Sequence, residues 1–230
     1  MIQESEPLTT DLSLAAEVRL YYDVYAPREG ASPLLLALHG YGSYKGWMMR
    51  EARQHAPEGF AVAALQGPHQ HMKESREKGG PLRFGFGWLT NFRPEESVAL
   101  HHKAVLDLIN SLVARGIARR DRVFLMGFSQ SCALNYRFAF THREALRGVI
   151  GICGGMPGDW VTNPNYGETR ASVLHLSGTR DEFYTPERVA PYAGQLRRHA
   201  RDVETLAYDA AHEFVPAMRG DVRAWLAARA

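Results

Sequence analysis

The chain has 230 residues, of which 45% are apolar and 23% charged. That balance excludes wholesale disorder and supplies enough apolar side chains for a core without staples. Its 27 basic and 25 acidic residues leave a formal charge of +2, too weak to mark a nucleic-acid or anionic-membrane surface, and length alone allows one domain or two.

In chain order, Met1 to Thr10 is acidic and polar, without the basic and apolar regions of a secretory leader. Leu14 to Tyr25 reads as one or two strands, with Val18, Leu20, Tyr22 and Val24 at period two. Leu34 to Leu38 is a continuous apolar run, as expected of a strand covered on both faces, and is far too short to span a membrane. Phe60–Leu65, Val123–Met126, Gly148–Ile152, Val173–Leu176 and Val203–Tyr208 have the same character.

Helical patterns lie between them. Val98, Val105, Leu108, Ile109 and Leu112 share one face; Val189, Tyr192, Leu196 and His199 share another, behind Thr185 as N-cap and Pro186 at the first helical position. Pro216 opens a last helix carrying Val222, Trp225 and Leu226. Strands alternating with helices predict a mostly parallel α/β sheet. Gly67–Glu96 and Gly154–Arg170 lack any period and read as long loops, each following a strand and so placed at the carboxyl edge where ligands bind.

The most informative segment is Arg122 to Ala133. A buried strand runs into Gly127-Phe128-Ser129-Gln130-Ser131 and then a helix, the setting in which G-x-S-x-G presents a nucleophilic serine on a strained turn. Ser131 stands in place of the last glycine. A serine hydroxyl needs an adjacent base oriented by a third group. Of the later histidines, His142 follows the nucleophile helix, His175 sits in a strand and His199 on a helix face. Only His212 falls in a loop after a strand, so it is the expected base. Asp181, just beyond the strand ending at Leu176, is the expected acid, ahead of Asp159, Asp209, Asp202, Asp221 and Glu182. The backbone N–H groups of Gln130 and of Tyr41, in Leu38-His39-Gly40-Tyr41-Gly42, are the expected oxyanion donors, and His39 reads as structural.

LHGYG (Leu38 to Gly42), GFSQS (Gly127 to Ser131), SGTRDEF (Ser177 to Phe183) and AHEF (Ala211 to Phe214) together resemble the phospholipase/carboxylesterase family of α/β-hydrolases, which includes acyl-protein thioesterases. The resemblance implies a Ser129–His212–Asp181 triad and an oxyanion hole of the Tyr41 and Gln130 amides. It also implies an acyl pocket lined by Phe86-Gly-Trp88, so Trp88 and, from the acid segment, Phe183 are the expected substrate contacts. Ser131 departs from the family's usual glycine.

His69-x-His71 and His101-His102 lack further ligands at zinc-site spacing and read as solvated faces, so no metal or cofactor is expected. The glycine-rich Phe84–Trp88 and Gly151–Gly155 segments match no nucleotide fingerprint. The chain thus reads as one α/β-hydrolase domain over residues 1–230, a mostly parallel sheet with helices on both faces and no large cap. The expected activity is a cytoplasmic serine esterase acting on carboxylic esters, with thioesters left open. No nucleic-acid or integral membrane partner is expected, and a homodimer is left open. The competing readings are a non-catalytic ligand-binding module, a dienelactone-hydrolase-like enzyme or a peptidase.

Overall fold

A computed structural model describes residues 9–27, 30–73 and 80–230. The first eight residues of the polar N-terminal segment, and residues 74–79 of the Gly67–Glu96 stretch, lie outside the described residues.

The chain opens with β1 (Tyr22–Tyr25), β2 (Ser32–Leu38), α1 (Lys45–His55), β3 (Ala61–Leu65), β4 (His69–Lys73) and β5 (Arg83–Gly87). It continues through α2 (Pro94–Ala114), β6 (Ala118–Phe128), α3 (Gln130–Thr141), β7 (Gly148–Ile152) and β8 (Ser172–Gly178). It closes with α4 (Pro186–Val189), α5 (Tyr192–Leu196), β9 (Val203–Tyr208) and α6 (Pro216–Ala227). One sheet has the order β1-β3-β2-β6-β7-β8-β9 and is parallel apart from the antiparallel β1–β3 pair. β4 and β5 form a separate antiparallel pair.

The uninterrupted apolar character of β2 follows from its place between two layers. Leu35 and Ala37 pack in the cluster that holds Met48 and Ala52 of α1 and Met218, Val222, Trp225 and Leu226 of α6. Leu34, Leu36 and Leu38 pack on the other face with Val105, Leu108, Ile109 and Leu112 of α2 and Leu134 and Phe138 of α3. All four leucines of β2 are fully buried, each contributing about 1.5–3 kcal/mol of transfer free energy.

This topology also sets where a site can form. β2 leaves through α1 to reach β3 on one side, while its neighbour β6 leaves through α3 to reach β7 on the other. Leu38 lies opposite Gly127 at the two strand ends. The loops that follow therefore diverge and open a crevice at the carboxyl edge, the topological switch point of the sheet.

Three expectations change. Leu14 to Tyr21 alternates like a strand but is not one; Leu12, Leu14, Val18 and Tyr21 are exposed, and only Tyr22–Tyr25 finds a partner. The Val189–His199 face is split into α4 and α5, because Pro191 has no N–H to continue the helix and His199 falls in the turn beyond. The Gly67–Glu96 stretch is not all loop, since it contains the β4–β5 hairpin.

Candidate active site

Ser129 occupies the turn between β6 and α3 with φ 57° and ψ −116°, a left-handed conformation unusual for a side-chain-bearing residue. Two backbone bonds hold it there: Ser129 N–H donates to the Ile152 carbonyl at 3.0 Å, and Cys132 N–H donates to the Ser129 carbonyl at 3.1 Å. Gly127 is required by space. A Cβ there would lie 2.7 Å from Asn135 Nδ2 and 3.0 Å from Ser131 Oγ. The turn throws the Ser129 hydroxyl out beyond the end of β6 instead of using it to cap α3.

His212 is carried by the loop after β9. Its Nε2 lies 2.9 Å from Ser129 Oγ, and its Nδ1 lies 2.9 Å from Asp181 Oδ2. A carboxylate oxygen accepts, so Nδ1 carries the hydrogen and Nε2 is left free to accept from the serine. The imidazole is fixed by aromatic neighbours: Phe128 at 5.0 Å, Phe183 edge-on at 4.9 Å and Tyr184 stacked at 5.8 Å between centroids. Sequence reasoning missed Phe128 and Tyr184; both adjoin a candidate side chain, and that adjacency was the available signal.

Asp181 follows β8 and its side chain is fully buried. Its second oxygen, Oδ1, accepts the N–H groups of Phe183 and Tyr184, each at 2.9 Å. Burial alone would raise its pKa. The hydrogen bonds from Tyr184, His212 and Phe183, with the His212 charge, outweigh burial and hold the carboxyl below its ordinary value. The other acids are engaged elsewhere: Asp159 with Arg137, Asn163 and Tyr166, and Asp209 with Arg180. His175 meets Tyr136 Oη, and His142 caps the end of α3.

The loop after β2 passes directly over the serine. A Cβ on Gly40 would lie 3.1 Å from both Ser129 Cβ and Phe128 Cδ1, so a larger residue would have to push the serine turn aside. The amides of Tyr41 and Gln130 donate to no group among the described residues. The β4–β5 hairpin braces the loop. Gly42 N–H donates to the Phe86 carbonyl at 2.8 Å, Phe86 N–H donates to Ser43 at 3.0 Å, and Lys73 Nζ donates to Gly42 at 2.9 Å. The Tyr41 ring stacks on His71 at 4.4 Å, with 7° between planes.

Phe183 is exposed beside His212. Trp88 is placed differently from expectation. Its ring is 1% exposed, set between His39 and His101, and offers no open face to a substrate. Its Nε1–H donates to the His39 carbonyl and its backbone N–H to Gln130 Oε1, both at 2.8 Å. It ties the hairpin to both the loop and the serine helix. Outside the site, His69 meets Ser97 Oγ and His71 meets Tyr41. His101 is buried instead of solvated, meets Asn135 Oδ1, and packs in a row of rings with His102 and His142. Among the described residues no three His, Cys, Asp or Glu side chains converge in an arrangement that could hold a metal ion.

A family model described as Phospholipase/Carboxylesterase matches residues 20–229. Among solved structures, a carboxylesterase from Mesorhizobium loti is 21% identical with a TM-score of 0.73, covering 94% of this chain and 98% of its own. Esterase PE8 is 20% identical with a TM-score of 0.71, covering 93% and 100%. A Bacillus cereus carboxylesterase is 16% identical with a TM-score of 0.70, covering 92% and 95%. The architecture shared with them is the α/β-hydrolase fold, without a large cap among the described residues.

Proposed function

The chain belongs to the phospholipase/carboxylesterase family, and we propose that it is a serine carboxylesterase working through Ser129, His212 and Asp181. The observation that carries this reading is the unbroken path of two 2.9 Å contacts from Asp181 through His212 to Ser129.

Ser129 Oγ attacks the ester carbonyl while His212 Nε2 takes its proton. Asp181 holds the ring orientation and stabilises the imidazolium that forms. The amides of Tyr41 and Gln130 face the oxygen on which negative charge develops. Collapse expels the alcohol, which takes the proton from His212, and leaves an acyl-enzyme. Water, deprotonated by His212, then releases the acid and restores the serine. Thioesters follow the same steps, with a thiol as leaving group.

Phe183 and the face of Tyr41 suit an apolar acyl group. We take residues 1–230 as one catalytic domain, because the site draws on loops of a single sheet from His39 to His212. The reading needs no cofactor. No helix among the described residues is long and apolar enough to cross a membrane, and we assign the protein to the cytoplasm.

Ser129→Ala should lower turnover of p-nitrophenyl acetate by about 10⁴-fold or more, with the unfolding midpoint unchanged. Retention of most activity would contradict the assignment.

A further inference from the structure

His39 stands at the end of β2, wholly buried, and its neighbours decide which ring nitrogen bears the hydrogen. Gly67 N–H and Gln66 Nε2 each approach His39 Nε2 at 3.0 Å. A backbone N–H can only donate, so Nε2 must accept. The Gln66 amide agrees: its Oε1 accepts Lys45 N–H at 3.1 Å, which turns its NH₂ toward His39. On the other side of the ring, Nδ1 lies 2.8 Å from the Gly40 carbonyl oxygen. A carbonyl can only accept, so Nδ1 carries the hydrogen. Burial pushes the imidazole down to about 4, against the opposing effect of the bond to Gly40, so it is neutral near pH 7.

The Gly40 carbonyl also accepts Ser43 N–H at 3.2 Å. That carbonyl and the Tyr41 N–H belong to the same planar trans peptide, so they point in opposite directions. A hydrogen bond that fixes one therefore fixes the other. The Tyr41 amide is the one that donates to no group among the described residues, in a loop whose Gly40 abuts Ser129.

We propose that His39 is a positioning residue: by gripping the Gly40 carbonyl it aims the Tyr41 N–H at the oxyanion. The inference rests on the reading of Ser129 as nucleophile and Tyr41 as oxyanion donor. The ring itself touches no substrate. Its effect is preorganisation, because a peptide free to rotate must be reoriented at each turnover. Gln66 and Gly67 supply the matching constraint by holding the ring in the tautomer that donates to Gly40.

The test uses two substitutions that keep different halves of the imidazole. His39→Asn retains an amide N–H near the place of Nδ1, whereas His39→Gln places its amide near Nε2. His39→Gln should lower kcat for p-nitrophenyl acetate by roughly 10–100-fold, less than the ~10²–10³-fold for outright loss of an oxyanion donor. KM should stay within about threefold, and affinity for a trifluoromethyl ketone should fall by the same factor as kcat. His39→Asn should recover most of both. Equal kcat in the two variants, or a kcat change without loss of ketone affinity, would overturn the proposal.

Should either variant fail to fold, ring ¹⁵N shifts of the histidine-labelled wild-type protein near pH 7 decide. They should show His39 protonated at Nδ1 alone, and the opposite tautomer or the cation would overturn the proposal. A wild-type chain that neither turns over the ester nor is labelled at Ser129 by a fluorophosphonate overturns the parent reading as well. Wild-type activity with an indifferent His39 overturns this inference alone.

Discussion

The Ser131 hydroxyl donates to the Leu38 carbonyl at 2.8 Å, joining the serine turn to the end of the strand that feeds the His39–Gly42 loop. The same oxygen accepts Phe128 N–H at 3.0 Å. Ser131 is fully buried, so these partners have no water to replace it. At the position where the family resemblance leads one to expect glycine, the serine adds a tether between the two halves of the site.

Ser131→Ala removes that tether and leaves the Phe128 N–H without a side-chain partner. Chemical denaturation should show a loss of about 1–3 kcal/mol. KM should change little, because Ser131 is buried beneath the turn. An unchanged unfolding free energy would show that the two bonds add nothing.

Asp181→Asn separates geometry from electrostatics. The asparagine oxygen can still accept from Phe183 and Tyr184. Its NH₂ then faces His212 Nδ1, which must become the acceptor, and the hydrogen moves to the nitrogen that faces Ser129. kcat should fall by about 10³–10⁴-fold with KM within a few-fold. A loss under tenfold would place the orienting group elsewhere.

Four buried histidines make the fold acid-sensitive. Burial is the largest cause in each: it pushes His39, His55 and His175 down to about 4, and His101 to about 3, from an ordinary 6.5. The unfolded chain therefore takes up protons first as the pH falls below 6.5. Stability should fall from there toward pH 4 and level off once the folded histidines titrate too. Each group costs about 1.4 kcal/mol per pH unit in that window. Urea unfolding at about pH 7.5 and about pH 5.5 should differ by several kcal/mol, and equal values would mean these side chains are hydrated or already charged in the folded protein.

Phe183 is exposed and rests edge-on against His212. Phe183→Ala should raise KM for p-nitrophenyl butyrate more than for the acetate, while the unfolding midpoint holds. An equal effect on both esters would show that the ring steadies His212 without touching the acyl chain.

What could be read in advance divides along physical lines. Leu34–Leu38 and Val203–Tyr208 were legible as strands because the apolar pattern of each stands out from its flanks. The residues at Ser129, Asp181 and His212 were legible because each sits just after a strand end, where a parallel sheet gathers its loops. The hairpin was not: HQHMK carries little apolar periodicity, and in RFGFG the alternation of Phe84 and Phe86 is interleaved with glycines, which weaken a strand pattern. α1 went unread, since its apolar residues bunch at Trp47–Met49 and only Ala52 and His55 continue the buried face among charged and polar residues. Leu14–Tyr21 shows the converse, an alternating pattern without a partner strand to bury it. The place of Trp88 was beyond reach because its partners, His39, His101 and Gln130, come from the loop after β2, from α2 and from α3 and are distant in sequence.

In the proposed mechanism Ser129 is a nucleophile activated by His212. Incubation with a fluorophosphonate ester, followed by peptide mass spectrometry, measures this directly. One phosphonyl group per chain is expected, on Ser129, with labelling abolished in Ser129→Ala and strongly slowed in His212→Ala. Labelling of another residue, or none in a folded wild-type protein, would contradict it.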